Sequence, residues 1–411
     1  MNAEQYFEKY ASVAVNVGLN VQPGQRLLIT APIETAELVR IVAAHAYQRG
    51  ARLVSVLWRD QALDLVRYTH APRDSFDEFP MWYAEARLDA ARNGDASLSI
   101  AAENPDLLKG QDQELIARAD KASAQALSPF LAEVTRNTMN WSVISVPVPA
   151  WSQRVFPGLT AEAADEKLWE AILSACRILE NDPVAAWKSH IGELDKRRQY
   201  LTRKQYTSLH IKSPGTDLML GLAPNHIWLG GDMASKQGIR FVPNMPTEEV
   251  FSLPDRNRVE GIVQCSRPLS HSGTLIQDFT ITFENGRATQ VTAGAGQDLL
   301  RHLVETDEGA GRLGEVALVP ASAPTARLGL LFYNTLFDEN AASHIALGAG
   351  YKFCLQSGET MAPAEFVAAG GNESLIHVDF MIGTQQTDID GITESGERQA
   401  VMRDGEWAFA A

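Results

Sequence analysis

The sequence predicts an α/β protein in two parts, an N-terminal domain with a mostly parallel sheet and a C-terminal α+β domain. Two observations carry this reading. The chain has 411 residues, more than one ordinary core accommodates. Its first half also alternates short apolar runs with helical periodicity, whereas the second half turns to strands, hairpins and polar residues set in apolar runs.

The elements support it in order. Arg26 to Thr30 is a short apolar run introduced by Gln22-Pro23-Gly24. From about Thr35 to Gln48, Leu38, Val39, Val42 and Ala43 recur at helical spacing, and Gly50 sits where a C-cap is expected. Ala51 to Trp58 then reads as the next buried strand, and this βαβ rhythm predicts a parallel sheet flanked by helices. Pro147, Pro149 and Pro157 punctuate the approach to a helix around Leu168–Leu179. No G-x-G-x-x-G follows any of these strands, so the domain lacks a dinucleotide fingerprint and reads as a scaffold or a contributor to substrate binding. Ala186 to Tyr206 is a strongly charged, helix-like segment, and the boundary falls within it, giving domains 1–198 and 199–411. Beyond it lie strand patterns and a hairpin turning at Glu284-Asn285-Gly286, where Asn-Gly accepts positive φ.

Composition excludes several function classes. A net charge of −15 repels phosphate backbones, which argues against nucleic acid or an anionic membrane as the partner. Cys176, Cys265 and Cys354 form no CxxC pair and read as buried thiols of a reducing compartment. Glu4 and Glu8, with no basic region ahead of an apolar run, argue against a signal peptide, and no apolar stretch reaches the ~18 residues of a membrane span. A cytoplasmic protein is expected.

Chemistry concentrates in the second half. His377 and Asp379 alternate with Val378 and Phe380 in a strand-like run, so the polar pair shares one face. Such a pair makes half of a divalent-metal site, or a His–Asp hydrogen bond inside a core. In FDENAASHIALGAGY, Asp338 or Asn340 is read as the cap of a helix that puts His344 and Tyr351 on one face, seven positions apart. Glu315 stands at the mouth of an apolar strand, Val316 to Val319, either as a solvated end or as a directed ligand. Glu248 and Glu249 are adjacent, so in extended chain they face opposite ways. His210, His226 and His271 read as surface or hydrogen-bonded residues, Asp388 and Asp390 as shaping a turn at Gly391, and Asp217 as tying down a turn.

Taken together, GTDLMLGL, NMPTEEVF, RVEG, TDEGAGRLGEVALV, LFYNTLFDENAASHIALGAGY and HVDFMIG, in that order, resemble the aminopeptidase T and aminopeptidase S group of thermophilic-type two-metal aminopeptidases. The first half fits more loosely, so the likeness covers essentially the whole chain. The resemblance implies Glu249, Glu315, His344, His377 and Asp379 as metal ligands. It also implies a catalytic tyrosine at Tyr351, one helical step beyond the helix histidine, and a homodimer of two-domain subunits with the metal-binding catalytic domain C-terminal.

Two divalent cations balance three carboxylates and one hydroxide, so such a centre can be neutral when buried. The expected reaction is hydrolysis of the N-terminal residue of peptides by a metal-activated bridging water. Tyr351 steadies the oxyanion and Glu248 or Glu339 moves the proton. His and carboxylate ligands without thiolate suit Zn, Co or Mn, and the family adds Mg. The alternative is a two-metal amidohydrolase acting on a non-peptide or N-acylated amide.

Overall fold

The computed structural model describes residues 3–271 and 274–410. It divides into two compact units. One holds the chain up to Ser189 together with Asp232–Pro246, and the other holds His190–Gly231 together with the chain from Thr247 onward. The helix Pro183–Lys204 contains both Ser189 and His190, so the division falls inside one helix.

The first unit carries a four-stranded parallel sheet in the order Leu53–Arg59, Arg26–Pro32, Ala96–Ala101, Trp141–Ser145. The helix Ala36–Gln48 buries Leu38, Val39, Val42 and Ala46, close to the periodicity read from sequence. The strand read as buried from Ala51 to Trp58 is instead Leu53–Arg59 at the sheet edge, with Leu53 and Trp58 exposed. An apolar run does not disclose whether its strand is central or outermost, because that depends on which strands pair later.

The second unit holds two larger sheets. An eight-stranded antiparallel sheet includes Pro254–Gln264, Thr216–Leu222, Ser208–Ser213 and Asp388–Ile392 as neighbours. The hairpin read from Asn285-Gly286 joins Thr280–Glu284 to Arg287–Thr292, with φ of 50° and 78° at the two turn residues. Asp388 and Asp390 form no turn: they lie in a strand, where Asp390 pairs with Arg403. Asp217 likewise sits in a strand, 2.6 Å from His210 Nε2.

The other sheet is antiparallel and four-stranded, in the order His377–Met381, His344–Gly348, Leu313–Leu318, Val250–Ser252. Its inner face supplies Val250, Leu313, Val316, Leu318, Ile345, Leu347, Val378 and Phe380 to the core of this unit. Each such side chain fully buried favours folding by about 1.5–3 kcal/mol before chain entropy is counted. His344 is therefore on a strand and not a helix. Ala and Gly are compatible with either state at the level of local pattern, and cross-strand pairing on both sides decides for the strand. Nor does Asp338 or Asn340 cap a helix there. Asn334 caps the single turn Thr335–Asp338, and Asp338 accepts hydrogen bonds from the Phe332 and Asn334 amides.

Two close approaches demand glycine. A Cβ on Gly314 would lie 2.3 Å from the Ala349 carbonyl oxygen, and one on Gly348, where φ is 100°, would lie 2.1 Å from that of Ile376. Replacing Gly348 by Ala is expected to destabilise the protein by about 1–3 kcal/mol through a forced left-handed alanine and the steric conflict. A lowered urea midpoint at unchanged slope checks this; an unchanged midpoint contradicts it.

Candidate metal centre

The outer face of the four-stranded sheet gathers the polar residues. Opposite residues in antiparallel strands share a face, and Glu315 stands opposite Ala346, which stands opposite Asp379. One step along, Ala317 stands opposite His344, and on the other side Gly348 stands opposite His377. Four candidate residues thus rise from three strands around Ala317, Ala346 and Gly348, whose small side chains leave room between them. Strict alternation would put Leu313 on the same face as Glu315. A register shift between those two residues, at Gly314, sends Leu313 into the core and Glu315 outward. Glu315 is accordingly the third residue of its strand and buried, not a solvated strand end.

Glu249, immediately before the strand Val250–Ser252, completes the set. Its Oε2 lies 3.1 Å from His344 Nε2, which is 3.8 Å from Glu315 Oε1. The other Glu315 oxygen, Oε2, lies 3.5 Å from His377 Nε2, and that nitrogen is 3.2 Å from Asp379 Oδ1. Two triads result, Glu249–Glu315–His344 and Glu315–His377–Asp379, with Glu315 common to both.

Both imidazoles are held from behind. His344 Nδ1 is 3.1 Å from the Ala342 carbonyl and His377 Nδ1 is 2.8 Å from that of Ala349. A proton on each Nδ1 satisfies these contacts and turns an Nε2 lone pair toward the carboxylates, the arrangement that orients a metal-binding histidine. Glu249 Oε2 and Asp379 Oδ1 are buried yet lack a hydrogen-bond donor. Near neighbours that converge without hydrogen-bonding geometry suit a cation between them. The donor set fits a divalent metal.

Protonation without a cation shows the same demand. Burial pushes the Glu315 carboxyl up to about 7, reinforced by the charges of Asp379 and Glu249. Burial alone would lower both histidines, but Glu249 and Glu315 raise His344 and Asp379 brings His377 up to about 10. Asp379 is lowered against the effect of burial, chiefly by His377.

The remaining residues singled out by sequence fall in different places. Glu339 lies in the turn Glu339–Ala341, and its carboxyl is raised well above the usual range by burial and then by the charges of Glu249 and Asp379. Glu248 is buried, with its Oε2 3.6 Å from His190 Nε2. Tyr351 occupies the loop after the His344 strand and packs on the His377 ring with centroids 4.9 Å apart. Burial and then the Glu315 and Asp379 charges raise its phenol, which keeps it protonated.

Sequence reasoning missed Asn340 in its actual role. Fully buried, it accepts the Glu248 amide at 2.7 Å and donates to the Leu336 carbonyl at 2.9 Å, tying the Glu339 turn to the segment that carries Glu249. It also missed Phe251 and Phe353, which stand beside Tyr351. An aromatic residue in an apolar run gives no signal that separates a site wall from core.

Comparison with known proteins places the chain. The model of the thermophilic metalloprotease family, M29, matches residues 3–407. The chain belongs to that family. Aminopeptidase 2 of Geobacillus stearothermophilus is 47% identical over 406 residues, covering 99% of this chain and 98% of the relative. Aminopeptidase T of Thermus thermophilus is 47% identical over 403 residues, covering 97% and 98%. The solved structure of wild-type AmpT from Thermus thermophilus superposes with a TM-score of 0.94 at 46% identity, covering 99% of this chain and all of that one. As an M29 member the chain is a peptide hydrolase that works with divalent metal ions, in keeping with the donor set.

A pH dependence follows for the metal-free protein. His377, raised from 6.5 to about 10, contributes stability that is complete below its unfolded value and lost as pH rises through about 10. Glu315, raised from 4.5 to about 7, also costs stability as pH rises through that interval. A cation replaces these protons, so its stabilising effect grows with pH. Melting curves with chelator and with added divalent cation, between about pH 6 and about pH 9, check the sign. A cation-induced rise in Tm that is flat or smaller at the higher pH contradicts it.

Proposed function

We propose that the protein is an aminopeptidase that removes the N-terminal residue of peptides with a pair of divalent cations, Zn, Co, Mn or Mg. The observation that carries the two-cation reading is Glu315, whose two oxygens face different histidines, one in each triad. Glu249, Glu315 and His344 would hold one cation, and Glu315, His377 and Asp379 the other. Bound there, the cations lower the pKa of a water and polarise the scissile carbonyl.

The chain's own groups supply the rest. Tyr351, kept protonated, donates a hydrogen bond to the oxygen on which charge develops. Glu339 rather than Glu248 takes a proton from water and passes it to the leaving amine in this reading, because burial and the charges of Glu249 and Asp379 raise its proton affinity. The lone pair of a free amine could ligate one of the cations, whereas an acylated nitrogen could not, which favours an unblocked amino terminus. Catalysis is assigned to the domain 199–411 and a scaffold role to 1–198. The family resemblance supports a homodimer. Three buried free cysteines fit a cytoplasmic setting, and no described helix is long and apolar enough to cross a membrane.

Aminoacyl anilides and their N-acetylated counterparts, assayed after chelation and metal return, test the activity. Free-amine substrates are expected to be cleaved only with metal, and Glu315→Gln is expected to lose metal and at least about 10³-fold in activity. Preference for the blocked substrates would instead favour an amidohydrolase of N-acylated amides.

For the proton, Glu339→Gln is expected to lower kcat by about 10²–10⁴-fold with two equivalents of metal retained, and Glu248→Gln much less. Loss of a metal equivalent from Glu339→Gln would make Glu339 a ligand. A larger loss from Glu248→Gln would transfer the role to Glu248.

A further inference from the structure

Residues 348–350 lead from the His344 strand to Tyr351 and carry no side chain larger than a methyl group. The Ala349 carbonyl among them lies 2.8 Å from His377 Nδ1. Two glycines in three residues give this stretch little stiffness of its own, so its neighbours set its position. The Gly348 amide donates to the Arg312 carbonyl at 2.8 Å, and the Ala349 amide to that of Ile376 at 2.7 Å. Asn372 holds both ends: its Nδ2 donates to the Gly348 carbonyl at 2.6 Å, and its own carbonyl accepts the Gly350 amide at 2.8 Å.

The loop 307–311, part of the TDEGAGR run, anchors Asn372 in turn. Asn372 Nδ2 also donates to the Gly309 carbonyl at 2.8 Å, and a Cβ on Gly309 would lie 1.9 Å from the Glu373 carbonyl oxygen. Asp307 grips the same segment, accepting from Ser374 Oγ at 3.0 Å and from the Leu375 amide at 2.6 Å. The Gly309 and Ala310 amides of its own loop donate to it at 2.8 Å. Asn372 is fully buried, and its Oδ1 has no donor among the described residues. The reverse orientation of the amide would set that oxygen against two carbonyls, so the side chain acts through its donors.

We propose that Asn372 is a positioning residue for the His377 half of the centre: it fixes residues 348–350, and through them the direction of His377 Nε2 and the place of the Tyr351 phenol. The inference rests on the two-cation aminopeptidase reading. The Ala349 carbonyl can orient His377 only as firmly as the carbonyl itself is held, and outer contacts of this kind change metal affinity by about 10–100-fold. His344 takes its orientation from Ala342, before the start of its strand, so Asn372 supports one triad and not the other. An uncharged amide suits the position, because two buried carbonyls converging on one point need a group with two donors. A carboxylate there would repel both.

The test is Zn binding by competition with a chelator, together with kcat and KM on a free-amine aminoacyl anilide, for wild type, Asn372→Ala and Asn372→Ser. Ile281→Ala, a core substitution in the eight-stranded sheet, serves as a control for general destabilisation. Wild type is expected to bind two equivalents. Asn372→Ala is expected to weaken one of them by about 10–100-fold and to leave the other within about threefold. At saturating Zn its kcat is expected to fall at least about tenfold with KM little changed, through the displaced Tyr351. Asn372→Ser, which keeps one donor, is expected to lie between, and Ile281→Ala to lower Tm without separating the two affinities. An Asn372→Ala protein of lowered Tm that binds both equivalents as wild type does, or loses both alike, overturns the inference and makes Asn372 an ordinary core residue. Should the alanine variant fail to fold, Asn372→Ser decides by the same criterion. Wild type that binds fewer than two equivalents overturns the two-cation reading and this inference together.

Discussion

Glu315 is the constraint on which the site depends: a buried carboxylate placed between two histidines, each with a further carboxylate close by. Burying Glu249, Glu315 and Asp379 beside one another costs desolvation and mutual repulsion, which the two nearby imidazoles only partly offset. Without metal the site answers by taking up protons, which is why Glu315 and both histidines shift upward. Divalent cations relieve the same repulsion at the same positions, so the chemistry that makes the site unfavourable when empty makes it a binding site when filled.

The fold tolerates that concentration because it is confined to one face of one sheet. On the other face of the same strands, Val316, Ile345, Leu347, Val378 and Phe380 belong to the core of the unit. Burial there holds the strands in register, and register is what aligns Glu315, Ala346 and Asp379 in one row. A slip by one residue would exchange the two faces and place carboxylates in the core. The shift at Gly314 is therefore part of the site, since it puts Leu313 inside and Glu315 outside.

Support extends outward by short connections. Carbonyls of Ala342 and Ala349, just before and just after the His344 strand, orient the two imidazoles. Asn340 links the Glu339 turn to the Glu248-Glu249 segment through buried hydrogen bonds. Ser343 joins strand ends by exchanging hydrogen bonds with Val319 while its carbonyl accepts the Ile382 amide. These groups are carried by backbone and packed side chains, which favours the narrow positioning that catalysis requires.

Much of this was legible in the amino-acid order, for identifiable reasons. The alternation of His377 and Asp379 with Val378 and Phe380 is local, and a period of two survives whatever the strand pairs with. The Asn285-Gly286 turn is local too, as is the parallel sheet rhythm of the first half. What pairs with what is not local. His344 reads equally well on a helix until Leu313–Leu318 and His377–Met381 flank it. Adjacent Glu248 and Glu249 differ only in neighbours contributed from elsewhere, His190 for one and His344 for the other. The sequence by itself determined the donor types and their spacing within each strand, because side-chain chemistry and strand period are properties of the chain. Only the tertiary structure decided that Glu315 sits between two triads and that aromatic rings border them, because cross-strand register and a bulge bring together residues far apart in sequence.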